Sequence, residues 1–223
     1  MSVHKKITWK ELNATRIITV TLSWMLAIGG LDHGFFETLQ GFKKTPGLII
    51  QAIGPANRMW LHGTEEAFTI IPNFLISGIL TICISILIMI WSVGFVHKKH
   101  GRTVLLLLFI SLFLFGGGIA AQIVLFPWIL GYATKIDKPL TWWEKVLSFK
   151  IRSGFSKIWV YSLVIACIFF LVALEMAIIG YFPGIKDPEV ILYTCWSFLF
   201  IFMLLINLTY ISGFAHDIER QGK

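Results

Sequence analysis

Two short stretches of this chain carry the residue types that could do chemistry. In GGLDHGFFETLQG, Asp32, His33 and Glu37 fall near the end of an apolar run. His33 and Glu37 are four residues apart, so a helix sets them on one face a turn apart, with Asp32 rotated about 100° from His33. In NRMWLHGTEEAFTIIPN, His62 precedes Glu65 and Glu66 by three and four residues, and Asn73 follows roughly two helical turns further on. With Thr64 as a cap, both glutamates would open a helix, where the positive end of the dipole favours their ionised form.

One run ends and the next begins on the same side, so the two stretches are expected at similar depth. Adjacent helices would then gather two imidazoles and up to four carboxylates. Three readings fit such a set. As a divalent metal site, His33, Glu37, His62 and Glu65 would suit Zn, Mn or Fe. The order of residues, however, reverses the Glu-x-x-His of di-iron bundles, and no H-E-x-x-H occurs. As a proton-handling or ligand site, His33 and Glu37 form the acid–base core, completed by His62, Glu65, Glu66, Asp32 and Asn73. As a structural network, the same groups satisfy one another and fix the helix packing. Glu175, in FFLVALEMAIIGYFPG, is expected toward the opposite leaflet. There it would be a second catalytic or ion-path station, or a neutral acid across a packing seam.

The elements that must position these residues follow from composition. The chain has 223 residues, of which 57% are hydrophobic, 15% aromatic and 14% charged, and its mean hydropathy is +0.79. Soluble domains carry about a quarter charged residues, so a cytosolic globule and a disordered chain are excluded. The net charge of +7 sits on Lys and Arg placed between apolar runs, a pattern that suits anionic lipid headgroups and not nucleic acid.

Five runs are long enough to cross a bilayer, at about 17–39, 67–96, 103–133, 158–182 and 190–214. Backbone polar groups in hydrocarbon must pair within their own segment, and the alternation of a barrel is absent, so the runs read as helices. The expectation is one integral membrane domain over 1–223, an all-α polytopic bundle of five transmembrane helices. Trp9, Trp60, Trp91, Trp128, Trp142, Trp143 and Trp159 fall near span ends, while Trp24 and Trp196 are expected between helices. The N-terminal stretch is too polar for a cleaved signal peptide, so the first span is expected to be retained.

Two connections are expected to be structured. Leu48 to Ile53, bracketed by Pro46-Gly47 and Gly54-Pro55, reads as a re-entrant or interfacial segment over the mouth of the bundle. Lys138 to Lys157 reads as a basic amphipathic helix on the membrane surface. Five crossings separate the termini, and Lys5, Lys6, Lys10, Arg16 and the cluster at 98–102 favour a cytoplasmic N-terminus. The basic surface helix would then lie outside. Gly30 and Gly34, and the run Gly116–Gly118, permit close helix approach within the chain or in a homo-oligomer. Cys83, Cys167 and Cys195 read as small buried hydrophobes. Phosphate-binding and nucleophile motifs are absent. The functional expectation is binding or movement of a small ion, proton or polar molecule. The alternatives are an intramembrane enzyme acting on a lipid-soluble substrate, by metal or by acid–base chemistry, and a structural subunit of a membrane complex.

Overall fold

In the computed structural model, residues 13–222 are described; the expectations for Lys5, Lys6, Trp9 and Lys10 lie outside them. The first helix, α1 (Ala14–Leu39), starts where Asn13 accepts a hydrogen bond from the Arg16 amide. Its hydroxyl residues turn inward without breaking the helix, because Thr19 and Ser23 donate back to the carbonyls of Thr15 and Thr19. Gly34 lies against the backbone of Gly78 on α2 (Phe74–Gly94), and Gly30 against Ser85 and Leu112. These small residues therefore serve packing inside the chain, one of the two uses expected of them.

The α1–α2 connection is a β-structured lid. β1 (Ile49–Gln51) pairs antiparallel with β2 (Glu66–Phe68), Ile50 opposite Ala67. The side chains of Ile50, Ala52, Ile53 and Ala67 are buried beneath it. The apolar piece at 48–53 is thus strand and loop, covering the bundle end. The second helix starts at Phe74 and not at 67, because Pro72 disfavours helix just before it and Asn73 supplies the cap, accepting from the Ile76 amide at 3.2 Å.

The run expected as one span at 103–133 is two helices, α3 (Gly101–Leu114) and α4 (Ala120–Ala133). Gly116 and Gly118 take φ values of +112° and +90°, which end the helix and reverse the chain. Both legs return to one end, where the Arg102 guanidinium donates to the Ile136 carbonyl at 2.8 Å. Each leg is about 21 Å long.

The basic connection holds two short helices, α5 (Thr141–Val146) and α6 (Phe149–Phe155), in place of one continuous surface helix. α7 (Trp159–Ile179) and α8 (Pro188–Gln221) complete the bundle as an antiparallel pair. Trp24 and Trp196 are exposed on its outside, not packed between helices. Among the described residues, four helices, α1, α2, α7 and α8, are long and apolar enough to cross a membrane. Their outer faces are covered with large exposed apolar side chains, among them Ile90, Ile168 and Phe200.

The buried Asp217 of α8 accepts from the Ala14 and Thr15 amides at 2.9 and 2.8 Å and from the Thr15 hydroxyl. The start of α1 and the end of α8 therefore meet at one end of the bundle. α1, α2, α3, α4, α7 and α8 alternate in direction, an even number of traverses, which differs from the five separated crossings expected.

Candidate functional site

α1 carries His33 and Glu37 on its buried face, one turn apart, and the α3–α4 turn closes over both. A methyl group on Gly116 would overlap the two carboxyl oxygens of Glu37, and one on Gly118 would come within 2.8 Å of the His33 Nε2. Positive φ and close approach thus both demand glycine at these two positions. Glu37 is wholly buried, and neither of its oxygens has a geometrically formed hydrogen bond among the described residues. The Nδ1 atom of His33 is likewise buried and unpartnered.

The lid delivers the third member. Ala52 donates its amide to the Glu65 carbonyl at 2.7 Å, which fixes the backbone of the lid's second arm. The Glu65 carboxylate then reaches His33, Oε2 to Nε2, at 3.7 Å. The neighbouring imidazole holds the Glu65 carboxyl below its ordinary value, against a smaller opposing effect of burial. Asp32 lies half-buried beside this pair, lining a small void with His33 and Glu65.

His33 and Glu65 form the polar end of a cavity of about 180 Å³ between α1, α4, α7 and α8. The remaining wall is almost entirely apolar, with Phe170, Ala173 and Leu174 of α7 facing Ala121 and Leu125 of α4. Val124 of α4 and Leu199 of α8 line it while exposed on the outside, so the cavity opens sideways between these helices. α4 packs chiefly on α1 at this level. It rejoins α8 lower down, where Trp128, Tyr132, Tyr210 and Phe214 stack and close the cleft. Ala120 and Ala121, the first residues of α4, border the polar end, so the positive end of that helix faces it.

Other expected members lie elsewhere. His62 pairs with Glu189 at the start of α8, Nε2 to Oε1 at 2.9 Å, and its ring meets Trp60 edge-on. Glu66 is exposed on β2, and Asn73 is the cap of α2 and not a deeper polar station. Neither glutamate opens a helix. Glu175 is exposed on the outer face of α7 near the lid end, so it lies away from the cleft and not toward the opposite end. A polar path through Asn73 and Glu175 is therefore not built. Among the described residues, no three His, Cys, Asp or Glu side chains converge to hold a metal ion. Of His33, Glu37, His62 and Glu65, His62 stands apart because the lid pairs it with Glu189 of α8.

Several contributors were not evident as such in the sequence. Gly116 and Gly118 read there as packing residues, although three consecutive glycines inside an apolar run signal a break. Trp60, whose indole donates to the Ala177 carbonyl at 2.8 Å and lies in the notch left by Gly180 (φ +69°), anchors the arm that carries Glu65. The Ser77 hydroxyl beside Glu37 gave no sequence signal, since small hydroxyl residues are common in apolar helices.

No protein-family model matches this chain, and no curated protein or solved structure is similar to it.

Proposed function

We propose that the chain is a polytopic membrane protein whose lateral cleft takes a lipid-soluble molecule bearing one polar group, with His33 and Glu65 as the pair that binds that group and exchanges a proton with it. The observation that carries this reading is the composition of the cleft: apolar walls, a sideways mouth between α4 and α8, and a single acid–base pair at its inner end. An apolar cavity of about 150 Å³ suffices for a benzene-sized ligand, so the cleft accommodates a ring or a short acyl segment, and a longer tail would lie between α4 and α8. The imidazole suits proton exchange because one ring nitrogen can accept a proton while the other gives one up, and the Glu65 carboxylate lies beside Nε2. A small hydrated ion is a poor fit to such walls, because it would lose its hydration shell against carbon.

The same reading assigns the membrane arrangement. The end where α1 starts and α8 finishes carries Arg16, Lys98, Lys99, Arg102, most of the Lys and Arg of 135–157, and Arg220. The lid end carries only Lys43, Lys44, Arg58 and Lys186 among the described residues. The excess of positive charge supports a cytoplasmic position for the first end, with α5 and α6 along the anionic headgroups there. The lid and cleft then belong to the opposite leaflet, with α3–α4 as a hairpin inserted from the cytoplasmic side.

The test is photolabelling in nanodiscs with a diazirine-bearing long-chain alcohol. Labelled peptides from α4, α7 and α8 around Ala121, Ala173 and Met203 are expected. The labelling should be lost in Ala173→Trp, which fills the cleft, at unchanged helicity. Labelling spread evenly over the outer helix faces and indifferent to Ala173→Trp would overturn the proposal.

A further inference from the structure

Glu37 is not part of the cleft, and its surroundings pose a separate electrostatic problem. The carboxyl group is fully buried, with neither oxygen in a geometrically formed hydrogen bond among the described residues. The Ser77 hydroxyl lies beside it but donates to the Phe115 carbonyl at 2.7 Å, and the Thr81 hydroxyl donates to the same carbonyl at 2.5 Å. The Thr69 and Ser77 hydroxyls share a hydrogen bond at 2.8 Å. Ser77, which approaches the Glu37 carboxyl as a hydrogen-bond partner, thus links it to the Thr69 hydroxyl and, through the Phe115 carbonyl, to the Thr81 hydroxyl. Phe115 also caps the C-terminal end of α3, the negative end of its dipole. Ser77, Thr81 and Thr69 are themselves buried. Through Ser77 the buried carboxyl adjoins a cluster of hydroxyl and carbonyl oxygens at the negative end of α3.

An uncompensated buried carboxylate is prohibitively costly, so this enclosure calls for one positive charge. Carboxylate, hydroxyl and carbonyl oxygens are the ligands that hard cations take, and interrupted membrane helices commonly present carbonyls at a half-helix C-terminus to sodium. We infer that Glu37, Ser77, Thr81 and Thr69, with the Phe115 carbonyl, form a dehydrated site for a single sodium ion at the seam between α1, α2, the lid and the α3–α4 turn. The bound ion neutralises Glu37 and ties the Gly116–Gly118 turn to α1. It thereby sets the position of Gly118 over His33. The site does not depend on what occupies the cleft.

The experiment is thermal unfolding of the full chain in nanodiscs at fixed pH and ionic strength, with choline chloride replaced stepwise by sodium chloride or potassium chloride. Wild type is expected to gain several degrees in Tm with sodium, saturably, and less with potassium. Glu37→Gln, which keeps the shape and removes the charge, should abolish the sodium response. Ser77→Ala, which removes one oxygen and leaves the acid, should raise the sodium midpoint, and this variant decides the matter if Glu37→Gln does not fold. His33→Ala should retain the sodium response even if it abolishes photolabelling, so the two proposals fail separately. A wild-type Tm that tracks pH and ignores sodium would mean a proton only and would overturn the inference. An equal sodium response in wild type and Glu37→Gln, or an unchanged midpoint in Ser77→Ala, would do the same.

Discussion

Gly118 lies against the imidazole of His33, with its backbone at φ +90°. An alanine there meets two penalties at once, a backbone conformation L residues rarely adopt and an overlap with Nε2, so Gly118→Ala should destabilise the chain by about 2–3 kcal/mol. Gly154, on the exposed α6 with open space around its Cα, is the control. Gly154→Ala should be neutral or stabilising by up to about 1 kcal/mol. Tm of the two variants checks the contrast, and Gly118→Ala should also weaken labelling of the cleft by displacing His33. Equal Tm values would mean that the turn does not press on the imidazole.

Two of the contacts that hold the lid to the bundle are of unequal strength. His62 and Glu189 form a partly exposed ion pair, and such pairs contribute under about 1 kcal/mol. Trp60 fits the Gly180 notch and donates to Ala177, and truncating a packed tryptophan costs about 3–5 kcal/mol. His62→Ala should therefore change hydrogen exchange over 42–72 little, whereas Trp60→Ala should speed it strongly there and leave α2 and α8 protected. Comparable effects of the two variants would remove Trp60 as the anchor.

How far the sequence carried the fold is visible in particular residues. The long apolar helices were legible because mean hydropathy over about twenty residues is a property of the segment alone. The conjunction of His33 and Glu37 on one face was legible for the same reason, since four-residue spacing is local. What was not legible depended on partners. Ala67 to Ile71 is as apolar as a helix start, but pairing with Ile49–Gln51 and the constraint of Pro72 make it strand and loop. Hydropathy over 103–133 is continuous, and only the backbone at Gly116 and Gly118 converts one span into a hairpin. Parity of the traverses follows from that hairpin, so the meeting of Thr15 with Asp217 could not be seen before the break was.

The His33–Glu65 contact has a pH signature. Because Glu65 is held below its ordinary value of 4.5 when folded, the unfolded chain binds more protons just below that pH. Stability from this contact is thus present above pH 4.5 and lost as pH falls through the depressed value. In His33→Ala the main lowering cause is gone and burial remains, which raises the carboxyl above 4.5, so the contribution changes sign and stability falls as pH rises through that region. Measured from pH 4 to 6, the difference in Tm between His33→Ala and His33→Ala/Glu65→Gln should widen with pH. A pH-independent difference would mean that burial does not raise the Glu65 carboxyl once the imidazole is gone.

Asp217 closes the bundle by capping α1 from the far end of the sequence. Two helix-start amides and a hydroxyl depend on its carboxylate, and Arg220 Nε lies 3.4 Å from it. Amide donors at a helix start have no intrahelical acceptor, and hydrogen bonds to a charged group contribute about 1.5–3 kcal/mol each. Asp217→Ala should therefore cost about 3–5 kcal/mol, more than Asn13→Ala, which removes an ordinary local cap worth about 1 kcal/mol. The contact also fixes topology. With Thr15 and Asp217 joined, single cysteines at Lys98 and Lys157 in a background lacking Cys83, Cys167 and Cys195 should react with a membrane-impermeant maleimide from one side of sealed vesicles. Cysteines at Lys44 and Lys186 should react from the other. Labelling of Lys98→Cys and Lys157→Cys from opposite sides would restore an odd number of crossings and separate the two ends that this carboxylate joins.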